Sequence, residues 1–144
     1  IVDGAAAVLL ASPEYARANK LKPRARILAS ASVAGSPEYN LNEPVASARR
    51  ALTRAEMTVD DIDLFEVNEA FAVVPLRFMK LMGVDHDQLN VNGGAIALGH
   101  PIGATGAMLL GTLLDELERR ELKRGLVTLC AAGGLAPSMI IETM

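Results

Sequence analysis

Three side chains that could transfer protons or bind an oxyanion lie where one predicted element gives way to the next. Asn68 follows the apolar run IDLFEV, His100 precedes a predicted helix, and Cys130 ends the run GLVTLC shortly before Gly133 and Gly134. Ligands bind beyond the carboxyl ends of the strands in parallel α/β sheets. Taken singly, His100 also fits a helix-capping residue and Cys130 a buried small hydrophobe. Their shared position favours one site for proton transfer and oxyanion binding.

Six glycines lie in the stretch 93–111 around His100. Three of them, Gly99, Gly103 and Gly106, are spaced G-x-x-x-G-x-x-G. This spacing matches neither the Walker A loop nor the dinucleotide fingerprint. Glycine also permits close backbone approach, so the stretch is better suited to the floor of a narrow active site. Pro101 predicts a helix start beside His100, where the positive end of the helix dipole favours a neutral imidazole able to accept a proton from a thiol.

The elements that must position these groups alternate along the chain. Apolar runs predict five strands, and helical periodicity or capping residues predict four helices between them. The strands are 4–11, 25–35, 62–67, 125–132 and 137–143, and the helices are 13–21, 44–55, 69–83 and 104–119. This order predicts an α/β fold with a five-stranded, mostly parallel mixed sheet covered by helices on both faces. The short turn before the last strand predicts that this strand is antiparallel.

Composition limits the classes of function. The 144 residues are 51% hydrophobic, which indicates one domain with a sizeable core, and the formal charge of −3 offers no basic surface for nucleic acid. The apolar runs are too short to span a membrane. A single cysteine excludes an internal disulfide and a cysteine-rich metal site, and predicts a reducing, cytoplasmic setting. The opening IVDGAAAVLLAS has no polar leading segment and predicts a start inside a longer chain.

Three stretches together resemble the C-terminal half of thiolases. They are VNEAFA at 67–72, NGGAIALGHPIGATGA at 92–107, and the Cys130 run with its glycine turn; DGAAAV at 3–8 resembles the opening strand of the same half. The resemblance covers essentially all of residues 1–144 and implies a thiolase-like C-terminal domain. It implies an acyltransferase that moves an acyl group between coenzyme A and the α-carbon of an acyl-CoA. It also implies no cofactor beyond coenzyme A as substrate, and a homodimer or homotetramer.

The resemblance assigns catalytic roles to the same three residues. His100 matches the histidine that activates a nucleophilic cysteine and helps to form an oxyanion hole. Asn68 matches the residue that holds a water molecule in that hole. Cys130 matches the cysteine that acts as acid and base at the α-carbon. Fixed donors stabilise the negative oxygen of an enolate or a tetrahedral intermediate, and an electropositive pocket would tune the thiol.

Four further positions match substrate-binding residues. Ala70 and Phe71 match residues that line the pantetheine tunnel, and Gly99 belongs to the floor of the thioester site. Ala132 matches the residue whose backbone N–H contributes to a second oxyanion hole. Family members usually have a glycine-rich turn here, so the Ala131-Ala132 pair predicts a narrower approach and a changed backbone. No metal ligand is predicted.

The resemblance also indicates what this chain lacks. Thiolases acylate a cysteine of their N-terminal half, and this sequence contains no cysteine besides Cys130. We therefore expect a partner N-terminal half and no turnover by this chain alone. The helix TLLDELERR favours a 3-ketoacyl-CoA thiolase of fatty-acid β-oxidation. A biosynthetic acetoacetyl-CoA thiolase and a non-catalytic binding or assembly module remain as alternatives.

Overall fold

The computed structural model describes residues 1–144, which form one mixed sheet between helices. The strands are β1 (Ala25–Ala34), β2 (Leu64–Val67), β3 (Arg124–Thr128) and β4 (Leu135–Thr143). The helices are α1 (Pro13–Ala18), α2 (Pro44–Ala55), α3 (Val73–Met82), α4 (Ala95–Leu98) and α5 (Thr105–Arg119), and short 3₁₀ turns occur at Pro37–Tyr39, Val59–Asp61 and His86–Gln88. The strand order is β1-β4-β3-β2. Strands β2 and β3 are parallel, whereas β4 is antiparallel to both of its neighbours.

The prediction of a five-stranded sheet was wrong, because the sheet has four strands. Residues 4–11 are apolar but form no strand, and Leu9 is 83% exposed. A strand is stable only when a neighbouring strand pairs with its backbone N–H and C=O groups, and no strand of this sheet forms such a pairing with these residues. The prediction of a mostly parallel sheet was also wrong, since two of its three strand pairings are antiparallel. The antiparallel last strand is confirmed.

Helices cover both faces of the sheet, as predicted. One face carries α2 and α3 over a core that includes Phe65, Val67 and Phe78. The other carries α5, whose Leu113 and Leu117 form a second cluster. Because successive side chains of a strand point to opposite faces, β2 contributes to both clusters.

Helix α3 begins later than the periodicity predicts. It starts at Val73 rather than at residue 69, and Pro75 occupies its first turn, where a missing N–H costs no helical hydrogen bond. Residues 69–72 therefore remain a loop at the carboxyl end of β2. No helix of this chain combines the length and the apolar character that a membrane span requires.

Candidate active site

Asn68 and Cys130 follow the two parallel strands at one edge of the sheet. The backbone N–H of Asn68 donates to the carbonyl oxygen of Thr128 at 3.0 Å, which extends the β2–β3 pairing by one residue. Cys130 lies two residues after Thr128, because β3 ends four residues earlier than the apolar run predicts. The parallel pairing therefore brings the carboxyl ends of both strands to the edge that the sequence indicates.

Asn90 attaches the start of the glycine-rich loop to β2. Its Oδ1 accepts the backbone N–H of Val67 at 2.8 Å, and its Nδ2 donates to the Val67 carbonyl at 2.9 Å. The amide thus pairs with Val67 as a backbone peptide of a neighbouring strand would. Asn90 has a left-handed φ of 49°, which asparagine tolerates better than most residues. The loop therefore begins from a fixed point beside the strand.

Glu69 holds the next part of the loop. One carboxylate oxygen accepts from Asn90 Nδ2 at 3.1 Å and the other accepts from the backbone N–H of Ile96 at 3.0 Å. Gly94 lies against the same carboxylate, and a Cβ atom there would come within 2.2 Å of the Glu69 carboxyl carbon. A side chain at position 94 would therefore displace the carboxylate from its hydrogen bonds with Asn90 and Ile96, which favours glycine there.

His100 is oriented by the first residue of α5. Its Nδ1 lies 2.6 Å from Thr105 Oγ1, and that hydroxyl donates its hydrogen to the Pro101 carbonyl at 2.9 Å. A threonine hydroxyl has one hydrogen, so Nδ1 must be the donor to Thr105, which leaves the lone pair on Nε2. Asn68 Nδ2 donates towards that lone pair at 3.4 Å. The imidazole is thereby held as a base, with its reactive nitrogen next to Asn68.

Gly99 precedes the histidine with a φ of 94°, in the region that only glycine adopts readily. It ends the short helix α4, and the chain then turns at Pro101, whose carbonyl accepts from the N–H of Ala104, so that Thr105 reaches the imidazole of His100. The positive φ therefore gives a structural reason for glycine at position 99, which the sequence analysis assigned to the floor of the thioester site.

Cys130 is a half-buried free thiol packed at the edge of the Phe65 and Phe78 cluster. Burial raises the pKa of this thiol above its ordinary value. The expected electropositive pocket, which would lower the pKa, is not provided by this chain. At neutral pH Cys130 is therefore a protonated thiol, the state of a proton donor.

The remaining predicted residues lie on the loops at the same edge. Ala70 is half-buried and Phe71 is 64% exposed in the loop after β2, and Ala132 is exposed in the turn between β3 and β4. That turn is closed by two hydrogen bonds between Ala131 and Leu135.

The two alanines of the turn do not strain its backbone. The left-handed residues are Gly133 and Gly134, with φ of 83° and 76°, and neither Ala131 nor Ala132 has a positive φ. The turn uses Gly133 and Gly134 for its two left-handed positions. The effect of the Ala131-Ala132 pair on the backbone and on the approach to the site stays a prediction.

Sequence reasoning missed two residues that fix the site. Thr105 lies five positions after His100, and its role depends on a turn that reverses the chain at Pro101. Asn90 lies before the recognisable glycine stretch and acts on β2 from 23 positions away. Neither interaction follows a fixed spacing that a sequence pattern would reveal.

Comparisons with known proteins agree with this architecture. The family model described as "Thiolase, C-terminal domain" matches residues 21–143. The chain therefore belongs to the thiolase family and carries its C-terminal domain.

Individual relatives give the extent of the match. An acetyl-CoA acetyltransferase of Chromobacterium violaceum is 51% identical over 99% of this chain and 36% of its own length. The steroid 3-ketoacyl-CoA thiolase FadA6 of Mycobacterium tuberculosis is 48% identical over 100% of this chain and 35% of its own length. The crystal structure of the Bacillus anthracis acetyl-CoA acetyltransferase superposes with a TM-score of 0.89 at 38% identity, covering 92% of this chain and 34% of that one. The chain thus spans about a third of the length of the relatives it matches.

Proposed function

We propose that this chain forms the C-terminal half of a 3-ketoacyl-CoA thiolase, which transfers an acyl group between coenzyme A and the α-carbon of an acyl-CoA. The observation that carries the proposal is the imidazole of His100, whose Nδ1 is occupied by Thr105 and whose Nε2 lone pair faces Asn68. An imidazole held in this way can take the proton of a thiol. The relatives named acetyl-CoA acetyltransferase and 3-ketoacyl-CoA thiolase support the class of reaction.

In thiolytic cleavage, His100 Nε2 takes the proton of a nucleophilic cysteine, and the sulfur attacks the 3-keto carbon. The C2–C3 bond then breaks, and its electron pair passes to C2 and the thioester oxygen as an enolate. The protonated His100 and a water molecule held by Asn68 supply donors near that oxygen. The Cys130 thiol donates its proton to C2, and its raised pKa suits a group that must hold this proton until the enolate forms. The thiol of coenzyme A returns a proton to Cys130 and attacks the acyl-cysteine, whose departing sulfur recovers the proton from His100.

The nucleophilic cysteine must come from an N-terminal thiolase half, since Cys130 is the single cysteine of this chain. The relatives are almost three times as long as the chain, which leaves room for such a half. Large apolar side chains lie exposed beside the site, namely Phe71, Leu98 and Ile102, at 64%, 65% and 67% exposure. We infer that the partner half and the pantetheine arm of coenzyme A cover them, and that the assembled enzyme is a cytoplasmic homo-oligomer.

The substrate is a 3-ketoacyl-CoA of fatty-acid β-oxidation in this proposal. Acetoacetyl-CoA, in the biosynthetic direction, is the second candidate, and the relatives named acetyl-CoA acetyltransferase favour it. Values of kcat/KM for acetoacetyl-CoA and for a longer 3-ketoacyl-CoA, measured on one enzyme preparation, decide between them. A preference of about 10-fold or more for the longer substrate supports β-oxidation, and the reverse preference supports the biosynthetic enzyme.

The test is an assay of thiolysis by this chain alone and by the chain combined with an N-terminal thiolase half. We expect no turnover by the chain alone and turnover by the combination. His100→Ala should abolish acylation of the nucleophile, whereas Cys130→Ala should permit acylation but stop proton exchange at the α-carbon. His86→Ala is the matched control, because His86 is exposed and the hydrogen bonds of Asn68 and His100 do not involve it. Full activity of His100→Ala, or turnover by the chain alone at the rate of the combination, would contradict the proposal. Coenzyme A binding without turnover by the combination would favour a non-catalytic module.

A further inference from the structure

Two buried side-chain oxygens of this chain have no hydrogen-bond partner, and they belong to neighbouring positions of one strand face. Glu66 is 2% exposed and Asn68 is 1% exposed, and the unpartnered atoms are Glu66 Oε2 and Asn68 Oδ1. An unsatisfied buried polar group costs about 1–3 kcal/mol. The two residues, at positions i and i+2, form no direct hydrogen bond with each other, and one water molecule between them would satisfy both oxygens.

The alternation along β2 places both side chains on the face covered by α5. Phe65 and Val67 belong to the cluster on the opposite face, whereas Leu64 packs with leucines of α5. Positions i and i+2 of a strand are about 6.6 Å apart. A glutamate side chain with one intervening water molecule spans that separation with ordinary hydrogen bonds.

Glu66 is surrounded by apolar groups and by other carboxylates. Burial, then the charges of Glu69 and Glu116, raises the pKa of Glu66 to about 8. Arg119 of α5 and Arg120, which follows that helix, pair with Glu116. Strand β3 places no charged side chain beside Glu66, because its nearest residues are glycine, leucine, valine and threonine. Glu66 is therefore a neutral carboxylic acid at neutral pH, with one O–H to donate.

The direction of the hydrogen bonds around His100 requires such a donor. Thr105 fixes the lone pair on His100 Nε2, so Asn68 must turn its Nδ2 towards the imidazole and its Oδ1 away. A reversed amide would set Asn68 Oδ1 against the Nε2 lone pair. The amide oxygen Asn68 Oδ1 is a hydrogen-bond acceptor and therefore needs a donor, and the neutral carboxyl of Glu66 supplies one through the intervening water molecule.

We propose that Glu66 is a positioning residue for this site: its protonated carboxyl donates to one water molecule, which in turn donates to Asn68 Oδ1 and so holds Asn68 Nδ2 towards His100 Nε2. Loss of the Glu66 proton removes the donor and releases the amide of Asn68. The activity consequences rest on the proposed function, whereas the arrangement of the hydrogen bonds does not.

The first test is NMR of the 144-residue chain, with ¹⁵N-labelled imidazoles and ¹³C-labelled glutamate carboxyls. The chain has two histidines, so His86 serves as the internal control. We expect the Nε2 shift of His100 to show an inflection near pH 8 that coincides with the titration of Glu66. Glu66→Gln keeps a donor at every pH, so the inflection should disappear. Above pH 8 the Nε2 shift of His100 in this variant should equal the shift that the parent shows below pH 8. Two results would overturn the proposal. One is an inflection of the His100 shift near pH 8 that persists in Glu66→Gln, and the other is a titration of Glu66 in the parent that leaves the His100 shift unchanged.

The second test is thiolysis by the chain combined with an N-terminal thiolase half. Glu66→Gln should retain kcat within about 3-fold. In the parent enzyme kcat should decrease as the pH rises through about 8, and this decrease should be absent from Glu66→Gln. Glu66→Leu lacks a donor and should lower kcat by about 10- to 100-fold with little change in KM. If Glu66→Leu folds and its kcat equals that of the parent, the positioning role is overturned. If Glu66→Leu does not fold, the pH profile of Glu66→Gln decides. Absence of thiolysis in the parent combination would refute the proposed function, while the NMR result would still decide the role of Glu66.

Discussion

Replacing Glu66 by glutamine should change how the stability of this fold depends on pH. The carboxyl of Glu66 has an ordinary pKa of 4.5 when it is exposed, and burial raises that pKa to about 8 in the folded chain. Between these two values the unfolded chain has lost the proton and the folded chain has kept it. The unfolded state therefore binds fewer protons, and the stability of the parent falls as the pH rises through this window.

The magnitude follows from the two pKa values. Each unit of separation corresponds to about 1.4 kcal/mol, so the parent should lose about 2.5 kcal/mol relative to Glu66→Gln between about pH 5 and pH 7. Above about pH 8.5 the difference should become constant, because both states are then ionised. Glutamine has nearly the same shape and cannot ionise. Carboxyls whose pKa is lowered, such as Glu118 and Glu142, titrate alike in both proteins and cancel in the comparison.

Urea unfolding of the parent and of Glu66→Gln across this pH range measures the effect. Glu38→Gln is the control, because Glu38 is exposed and its replacement should leave the profile of the parent unchanged. Profiles of the parent and Glu66→Gln that run parallel within about 0.5 kcal/mol would refute the reasoning, since a buried acid that keeps its proton must separate them.

Three further predictions concern the site. Thr105→Val should lower kcat of the assembled enzyme by about 10- to 100-fold with the fold retained, because the imidazole loses the partner that fixes its tautomer; an unchanged kcat would exclude this role. Gly94→Ala should destabilise the chain by about 2 kcal/mol in urea unfolding, since its methyl group displaces the Glu69 carboxylate. Gly103→Ala, where a methyl group meets nothing within 4 Å, should have little effect, and equal losses in both variants would contradict the steric account. Alkylation of Cys130 by iodoacetamide at about pH 8 should be slower in the folded chain than in urea, because burial raises the pKa of its thiol; equal rates would show a solvated thiol.

Much of this protein could be predicted from its sequence where the determinants are local. The helix at 44–55 was predicted and is observed at Pro44–Ala55, because a proline start and apolar spacing are properties of the segment itself. The short glycine turn before the last strand likewise allowed only an antiparallel return. The positions of Asn68 and His100 in their motifs identified two side chains that the fold places 3.4 Å apart.

Only the tertiary structure decided which apolar runs became strands and how the site is held. Residues 4–11 have the composition of a strand, but pairing depends on a neighbouring strand that no local pattern specifies. Thr105 fixes the tautomer of His100 through a turn, and Asn90 extends β2 from a distant segment. The sequence by itself determined the chemical groups and the segments that carry them. The tertiary structure decided their orientation and the protonation of Glu66, because hydrogen-bond direction and burial depend on residues that are far apart in the chain.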